Sequence, residues 1–413
     1  MADDTVNPTA KGLVDVLLVG PVPQGWAEAF ELPDTPATAA AGFSVRHLVD
    51  DGEISVQLAE RLPHVIFTFG EEGDHHRLAE QSIDVRRRWV HLGGGGEPPD
   101  AARMAMRVFV DVSTRDRFAA LPMVSVFTPT YRIGERIHRA YASLVAQTYA
   151  NWEWVIYDDS PDDATWQVLR DIAASDHRVQ VFRSDRNLGV IGEIKRRLCG
   201  LARGSILVEL DHDDELTPIC LASVVEGFQA FPDAGFVYTD CVEMFEDGQS
   251  ATYGESYAFG FGSYRTEVLD GHQYAVTNYP SINSKTVRHI VGMPNHVRAW
   301  RADVYHAIGG HGSEIHVADD YELCIRTFLA TRMVHVRRFG YKQYLSREGA
   351  NTQRVRNKEI QRLVHAFAVR YEDEIHARFV ELGVDDFIRA DDGTLRWDLP
   401  NPVPAPIANY ELL

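Results

Sequence analysis

The sequence predicts an α/β protein: two series of alternating strands and helices, followed by a helical C-terminal segment. Three observations lead there. Short apolar runs alternate with amphipathic stretches from residue 14 to 117, and again from 123 to 245. Carboxylates, Thr and Tyr collect at the C-terminal ends of successive strands in the second series, where open α/β sheets bind ligands. From 353 to 383 the pattern is helical throughout. The divisions expected are therefore 1–118, 119–352 and 353–413, the last ending in the extended tail "LPNPVPAPIANYELL".

In the first series "VDVLLVG" (14–20), "SVRHLVD" (44–50), "HVIFTFG" (64–70) and "RWVHLG" (88–93) read as strands. "EISVQLAERL" (53–62) and "PDAARMAMRVFVDVSTRDRF" (99–118) read as helices. The "GGGG" at 93–96 does not match GxGxxG and reads as a flexible turn. The second series opens with the strand "MVSVFTPTY" (123–131) and the helix "GERIHRAYASLVAQ" (134–147). It continues through the strand "WEWVIYDDS" (152–160), a helix over 164–175 and the strand "VQVFR" (179–183). "NLGVIGEIKRRLCGLARG" (187–204) then reads as a loop entering a helix with a Gly stop. After the strand "AGFVYTDCVEMF" (234–245), residues 246–295 are rich in Gly, Tyr and Ser and read as a long functional loop.

Composition narrows the function classes. The chain is 45% apolar and 24% charged, as in ordinary globular proteins, and 413 residues suit two or three domains. No run approaches the roughly 18 apolar residues of a membrane span, and "MADDTVNPTAKG" has no signal-peptide pattern, so a cytoplasmic location is expected. Cys199, Cys220, Cys241 and Cys324 lack CxxC spacing and fit a reducing compartment. A net charge of −19 argues against nucleic acid as a partner. A homo-oligomer is compatible with the composition.

The octet "ELDHDDEL" (209–216) follows the apolar run Ile206-Leu207-Val208. Three readings compete: a solvated helix start, a zinc-type site, or a cradle for a cation carrying a phosphorylated substrate. In an extended segment residues i and i+2 share a side, so Asp211 and Asp213 can face one point with His212 turned away. Hard divalent cations, Mn²⁺ or Mg²⁺, suit such one-sided oxygen ligation. Asp214 and Glu215 are expected to begin the next helix, where the macrodipole favours anions. Zinc requires more His or Cys than the octet contains.

The surrounding motifs bear on that choice. "VSVFTPTY", "QTYANWEWVIYDDSPDDAT", "NLG" and "ARGSILVELDHDDEL" appear in an order and spacing that resembles the nucleotide-binding half of family 2 glycosyltransferases of the GT-A fold. "GFVYTD", "GGHGSEIHVADDYELCIRTF" and "MVHVRRFGYKQYLS" continue the resemblance, which spans residues 120–352. It implies a GT-A catalytic domain, a Rossmann-like nucleotide-diphospho-sugar transferase, beside a smaller N-terminal parallel α/β domain and C-terminal helices. Residue by residue, it implies that Thr128, Pro129 and Tyr131 line the nucleotide pocket and that Asp159, beside Asp158, accepts a hydrogen bond from the base. The Asn187–Gly189 turn, with Lys195 and Arg196, would face ribose and diphosphate. Asp211 and Asp213 would be the DxD pair holding ribose and metal, with Mn²⁺ or Mg²⁺ as cofactor. Asp319 and Asp320 stand in place of the family's Glu-Asp pair, whose second acid is the usual base; either could serve here.

Departures from the family pattern are local. Arg132 replaces the common Asn, and "SREGANT" replaces a His-containing turn, leaving the third metal ligand open and Arg347 as a candidate diphosphate contact. His296 in "GMPNHVRAWR" is a candidate acceptor-side or metal residue, against the commoner structural role of a lone His. The QxxRW signature of processive synthases is absent. The expected activity is metal-dependent, inverting, non-processive sugar transfer to an acceptor hydroxyl on a glycan, a protein or a small molecule. A UDP-linked donor is favoured over GDP- or dTDP-linked ones. A degenerate sugar-nucleotide or glycan-binding protein is the alternative. Nucleotidyl transfer would require a Gly-rich, Lys-containing signature after the first strand, and "TPTYRIGERIH" has none. A glycosidase would leave the nucleotide-pocket residues without purpose.

Overall fold

The computed structural model describes residues 14–26, 28–30, 42–49, 54–69, 78, 81, 83–92, 101–114, 121–176, 178–183, 186–347, 355–398 and 411–412. The Gly run at 93–96, the N-terminal dodecapeptide, residues 349–352 and most of the C-terminal tail lie outside them.

Four parallel strands form the first sheet: β1 (Val14–Val19), β2 (Phe43–Leu48), β3 (Val65–Phe69) and β4 (Trp89–Leu92), in the order β2-β1-β3-β4. Helices α1 (Ile54–Glu60), α2 (Ile83–Arg86) and α3 (Ala101–Thr114) accompany it. β1 and β3 are buried along their whole length, which explains why they read as unbroken apolar runs rather than alternating ones.

The second sheet begins with β5 (Val124–Thr130), β6 (Trp152–Asp158), β7 (Val179–Arg183) and β8 (Ile206–Glu209). These pair in parallel, with α4 (Ile137–Val145), α5 (Asp163–Ser175) and α6 (Ile191–Leu201) as crossovers. Two-residue β9 (Glu215–Leu216) and helix α7 (Cys220–Ala230) lead to β10 (Ala234–Phe245) and a two-residue β11 (Ser250–Ala251). Beyond a hairpin of β12 (Ser263–Leu269) and β13 (His272–Asn278) come β14 (Arg298–Arg301), α8 (Ala302–Ala307), α9 (Asp319–Ala330) and β15 (Arg332–Leu345). With β16 (Glu411–Leu412), the order is β16-β15-β10-β14-β8-β5-β6-β7. β14 lies antiparallel between β8 and β10, so the sheet is mixed.

The interval 246–295 is not a plain loop. Its hairpin turns at Asp270-Gly271, with φ of 51° and 77°. Positive φ at both turn positions is the I′ geometry that matches strand twist, and Asp-Gly between alternating residues is its sequence signal. That signal is present in "SYRTEVLDGHQYAVTN".

The first sheet meets the second through side chains. His91 of β4 stacks on Phe182 of β7 with centroids 5.2 Å apart, and Arg86 donates from Nη1 to His306 Nε2 at 2.6 Å. At the other end, α10 (Asn357–Arg370) and α11 (Glu372–Leu382) pack on α9. The segment after Ser281 is tied to them by Arg288, which is fully buried and pairs with Glu372 at 2.7 Å and Asp386 at 2.9 Å. Removing one partner from a buried ion pair leaves uncompensated charge inside. Arg288→Ala should therefore cost roughly 3–5 kcal/mol, seen as a lowered urea midpoint for loss of tertiary fluorescence.

Candidate functional site

The C-terminal ends of β5, β6 and β8 converge on the expected nucleotide side. The Asp159 carboxylate accepts from the backbone N–H of Leu188 at 2.6 Å and of Gly189 at 2.9 Å, and Asn187 donates to the Asp159 carbonyl. Asp159, Asn187 and Gly189 thus form one unit, in which the carboxylate shapes the turn. Gly189 has φ of 67°, which a Cβ would strain. Asp158 is buried beneath, accepting from Ser160 and Thr130, and burial raises its carboxyl above the ordinary range. Tyr131 stands half-exposed at the rim and Pro129 is buried, its carbonyl 3.2 Å from His212 Nδ1.

Thr128 departs from expectation. Its hydroxyl is wholly buried, donating to the Leu210 carbonyl at 2.7 Å and accepting from Trp154 Nε1 at 2.8 Å. It braces the strand end from within instead of lining a pocket.

The octet divides differently from the sequence reading. Asp214 and Glu215 do not begin a helix; α7 starts five residues later, at Cys220. β9 pairs antiparallel with β15, and this draws Asp214 inside. Its carboxylate accepts from Tyr344 N–H at 2.7 Å and from the Tyr341 hydroxyl at 2.9 Å. The same hydroxyl accepts from Asp211 N–H at 3.0 Å, and the Tyr341 ring stacks on His296 with centroids 4.3 Å apart. Tyr341 therefore orients three groups at once.

Asp211, Asp214 and His296 each place a ligand atom within 4.8 Å of the others. Asp213 is not part of this group; its carboxylate is part-exposed beside it, 3.9 Å from His212. His296 is buried, and burial holds its imidazole neutral, with a pKa of about 3. Two carboxylates and a neutral imidazole suit Mn²⁺ and, with less nitrogen preference, Mg²⁺. His296 Nε2 lies 3.6 Å from the Asp211 carboxylate, and a buried Asp214 charge beside Asp211 and Asp213 is unfavourable without a cation.

The acid pair opens α9, and its two members face different surroundings. Asp319 is buried against Lys195 at 3.0 Å, with His311 3.7 Å away. Asp320 retains 24% side-chain exposure and accepts from Arg298 at 2.9 Å. Lys195 lies inside, with Glu209 2.7 Å from its ammonium, and so does not reach toward a diphosphate. Arg196, one residue on, sits about 100° around the helix and pairs with Glu193 in solvent, so the expected side-by-side placement fails. Arg347 bonds to Asp247 at 2.7 Å and Gln249 at 2.8 Å, over the Phe245 ring. It braces the turn after β10 instead of turning to the acids.

The sequence reading missed Glu209, Arg298 and Tyr341. Glu209 had a legible signal, a lone carboxylate inside the apolar strand "ILVEL". Arg298 and Tyr341 had none, because their partners lie 89 and 127–130 residues away.

Residues 125–288 match the family model described as glycosyl transferase family 2. The match covers 164 of the 413 residues and shows what this stretch is similar to. Among known relatives, it is 39% identical over 129 residues to the uncharacterized protein y4gI of Sinorhizobium fredii, covering 31% of this chain and 14% of that protein. It is 24% identical over 245 residues to the chondroitin synthase of Escherichia coli, covering 59% and 32%. The chain thus spans less than a third of the length of either relative. Among solved structures, it resembles the mannosyltransferase PcManGT from Pyrobaculum calidifontis in complex with GDP-Man and Mn²⁺. There the TM-score is 0.45 and identity 19%, over 63% of this chain and 70% of that one. Among the described residues, no helix is long and apolar enough to cross a membrane.

Within the matched stretch, burial together with nearby Asp213 and Asp211 pushes the Asp214 carboxyl well above the usual carboxylate range. A raised folded-state pKa means that folding takes up a proton there, so stability falls as pH rises past the ordinary carboxylate value. Asp214→Asn should therefore raise the melting temperature of chelator-treated protein by several degrees at about pH 8. The gain should fade toward about pH 4, where the wild-type carboxyl is protonated; scanning calorimetry at the two pH values checks this.

Proposed function

We propose that this protein is a metal-dependent, inverting glycosyltransferase. It moves one sugar at a time from a nucleoside-diphosphate donor, with UDP favoured, to an acceptor hydroxyl. The observation that carries the reading is the convergence of Asp211, Asp214 and His296 near a separate, part-exposed acid, Asp320. His296 and Arg298 lie two residues apart, so one short stretch serves both clusters. The family 2 match supports the same reading.

In this scheme residues 119–352 form the catalytic unit, flanked by 1–118 and 353–413, and act in the cytoplasm. The Asp159-held turn and Tyr131 border the nucleotide. Asp211, Asp214 and His296 would hold Mn²⁺ or Mg²⁺, with Asp213 beside them at the rim. The ion, when bound, neutralises charge developing on the leaving diphosphate. Tyr341 keeps Asp214 and the Asp211 backbone in register for it. Asp320 takes the proton of the acceptor hydroxyl as that oxygen attacks the anomeric carbon and the bond to the diphosphate breaks. Asp319, already occupied by Lys195, does not serve as base. The hairpin of β12 and β13 and the segment 281–296 form the acceptor side, for a glycan, a protein or a small molecule.

The test is a panel of UDP-, GDP- and dTDP-sugars with Mn²⁺, read by thermal stabilisation and by release of nucleoside diphosphate. One donor should raise the melting temperature and be turned over; a panel with neither effect would sink the proposal. Asp320→Asn should lower turnover about 10²–10⁴-fold while leaving the donor-induced stabilisation in place. Unchanged, acid-independent binding without any wild-type turnover would instead favour a binding protein.

A further inference from the structure

The interior around the second sheet holds a connected set of five charged side chains drawn from four elements. Lys195 of α6 contacts Glu209 at 2.7 Å and Asp319 at 3.0 Å. Arg298 of β14 contacts Glu209 at 2.7 Å through Nε and Asp320 at 2.9 Å through Nη1. Glu209, the last residue of β8, touches both cations and has no exposed surface. Two cations against three carboxylates leave one negative charge uncompensated.

The buried histidine and thiols nearby do not cancel that surplus. His311 faces Asp319 and Lys195, and burial holds it neutral with a pKa of about 3. Cys199 and Cys324 stay protonated, because burial pushes both thiols up. Asp211 lies close to Lys195 on the side of the candidate metal ligands and adds to the negative side of the count.

Exposure decides where the surplus charge is felt. Glu209, Asp319, Lys195 and Arg298 have side-chain exposures of 0%, 6%, 7% and 5%, against 24% for Asp320. Only Asp320 can offer its charge to an incoming hydroxyl. Yet Arg298 is bonded to that same carboxylate, and a guanidinium given over wholly to Asp320 would cancel it. Glu209 divides the attention of Arg298 through a second charge-assisted hydrogen bond. Glu209 has an ammonium and a guanidinium each 2.7 Å from its two oxygens, so both of its carboxylate oxygens face a cation.

We propose that Glu209 is a positioning residue for sugar transfer: by occupying both Arg298 and Lys195 it leaves Asp320 with uncompensated negative charge facing the acceptor. The inference rests on the glycosyl-transfer reading above. It makes the charge of Glu209, rather than its size, the quantity that matters.

The test compares Glu209→Gln with Glu209→Asp in the full chain. The probes are whichever sugar nucleotide the wild type turns over, Mn²⁺, and water as acceptor. Gln keeps the volume and loses the charge; Asp keeps the charge and removes one methylene. The charge role predicts that Glu209→Gln loses about tenfold or more in kcat with donor KM within about twofold, while Glu209→Asp stays within about threefold of wild type. A packing role predicts the reverse order, and that result overturns the proposal. Equal turnover of Glu209→Gln and wild type overturns it as well. If Glu209→Gln fails to fold, a folded and active Glu209→Asp supports the charge requirement, and a folded but inactive Glu209→Asp overturns it. Wild-type protein that turns over no donor defeats the glycosyl-transfer reading itself, a distinguishable outcome.

Discussion

A carboxylate without any exposed surface, Glu209, sits at the end of a strand in the middle of the second sheet. Burying such a charge is costly unless cations and hydrogen bonds surround it. Here they come from α6 and β14, and each cation reaches onward to one acid at the start of α9. Four elements far apart in sequence are thereby held at one point. The antiparallel insertion of β14 beside β8 is the step that brings Arg298 within reach. Most of the site geometry follows from satisfying that one buried charge.

The second organising contact is Tyr341. Its ring supports His296 and its hydroxyl joins Asp214 to the Asp211 backbone. The pairing of β9 with β15 puts it there. A set of candidate ligands built this way is held firmly because each member is bonded to or stacked on β15. The flanking parts attach elsewhere: the first sheet through His91, Phe182 and the Arg86–His306 bond, the C-terminal helices through Arg288. Both contacts brace the second sheet from outside the acidic cluster.

The order of strands and helices was legible along the chain, since the parallel strands are long apolar runs bounded by polar turns. The hairpin within 246–295 was overlooked although its Asp-Gly turn stood in plain view between alternating residues. The candidate residues fared unevenly. Asp159, Asn187 and Gly189 form one unit, and Asp319 and Asp320 open one helix, in keeping with motifs local in sequence. Thr128 and Arg196 were placed by the resemblance and Arg347 by its nearness to the replaced turn, and each is engaged by other neighbours: Trp154, Glu193 and Asp247.

The sequence by itself determined which segments become strands, the clustering of acids at their ends, and the resemblance to family 2, because these depend on residue type and short-range periodicity. Only the tertiary structure decided which acid is spent and which is open. Asp319 and Asp320 are adjacent in the chain, yet the first is buried against Lys195 while the second keeps an exposed face beside Arg298. It likewise decided that Asp214, not Asp213, lies within ligand distance of Asp211 and His296. Such choices rest on strand pairing and on the cost of buried charge, and both are settled between residues tens to more than a hundred positions apart.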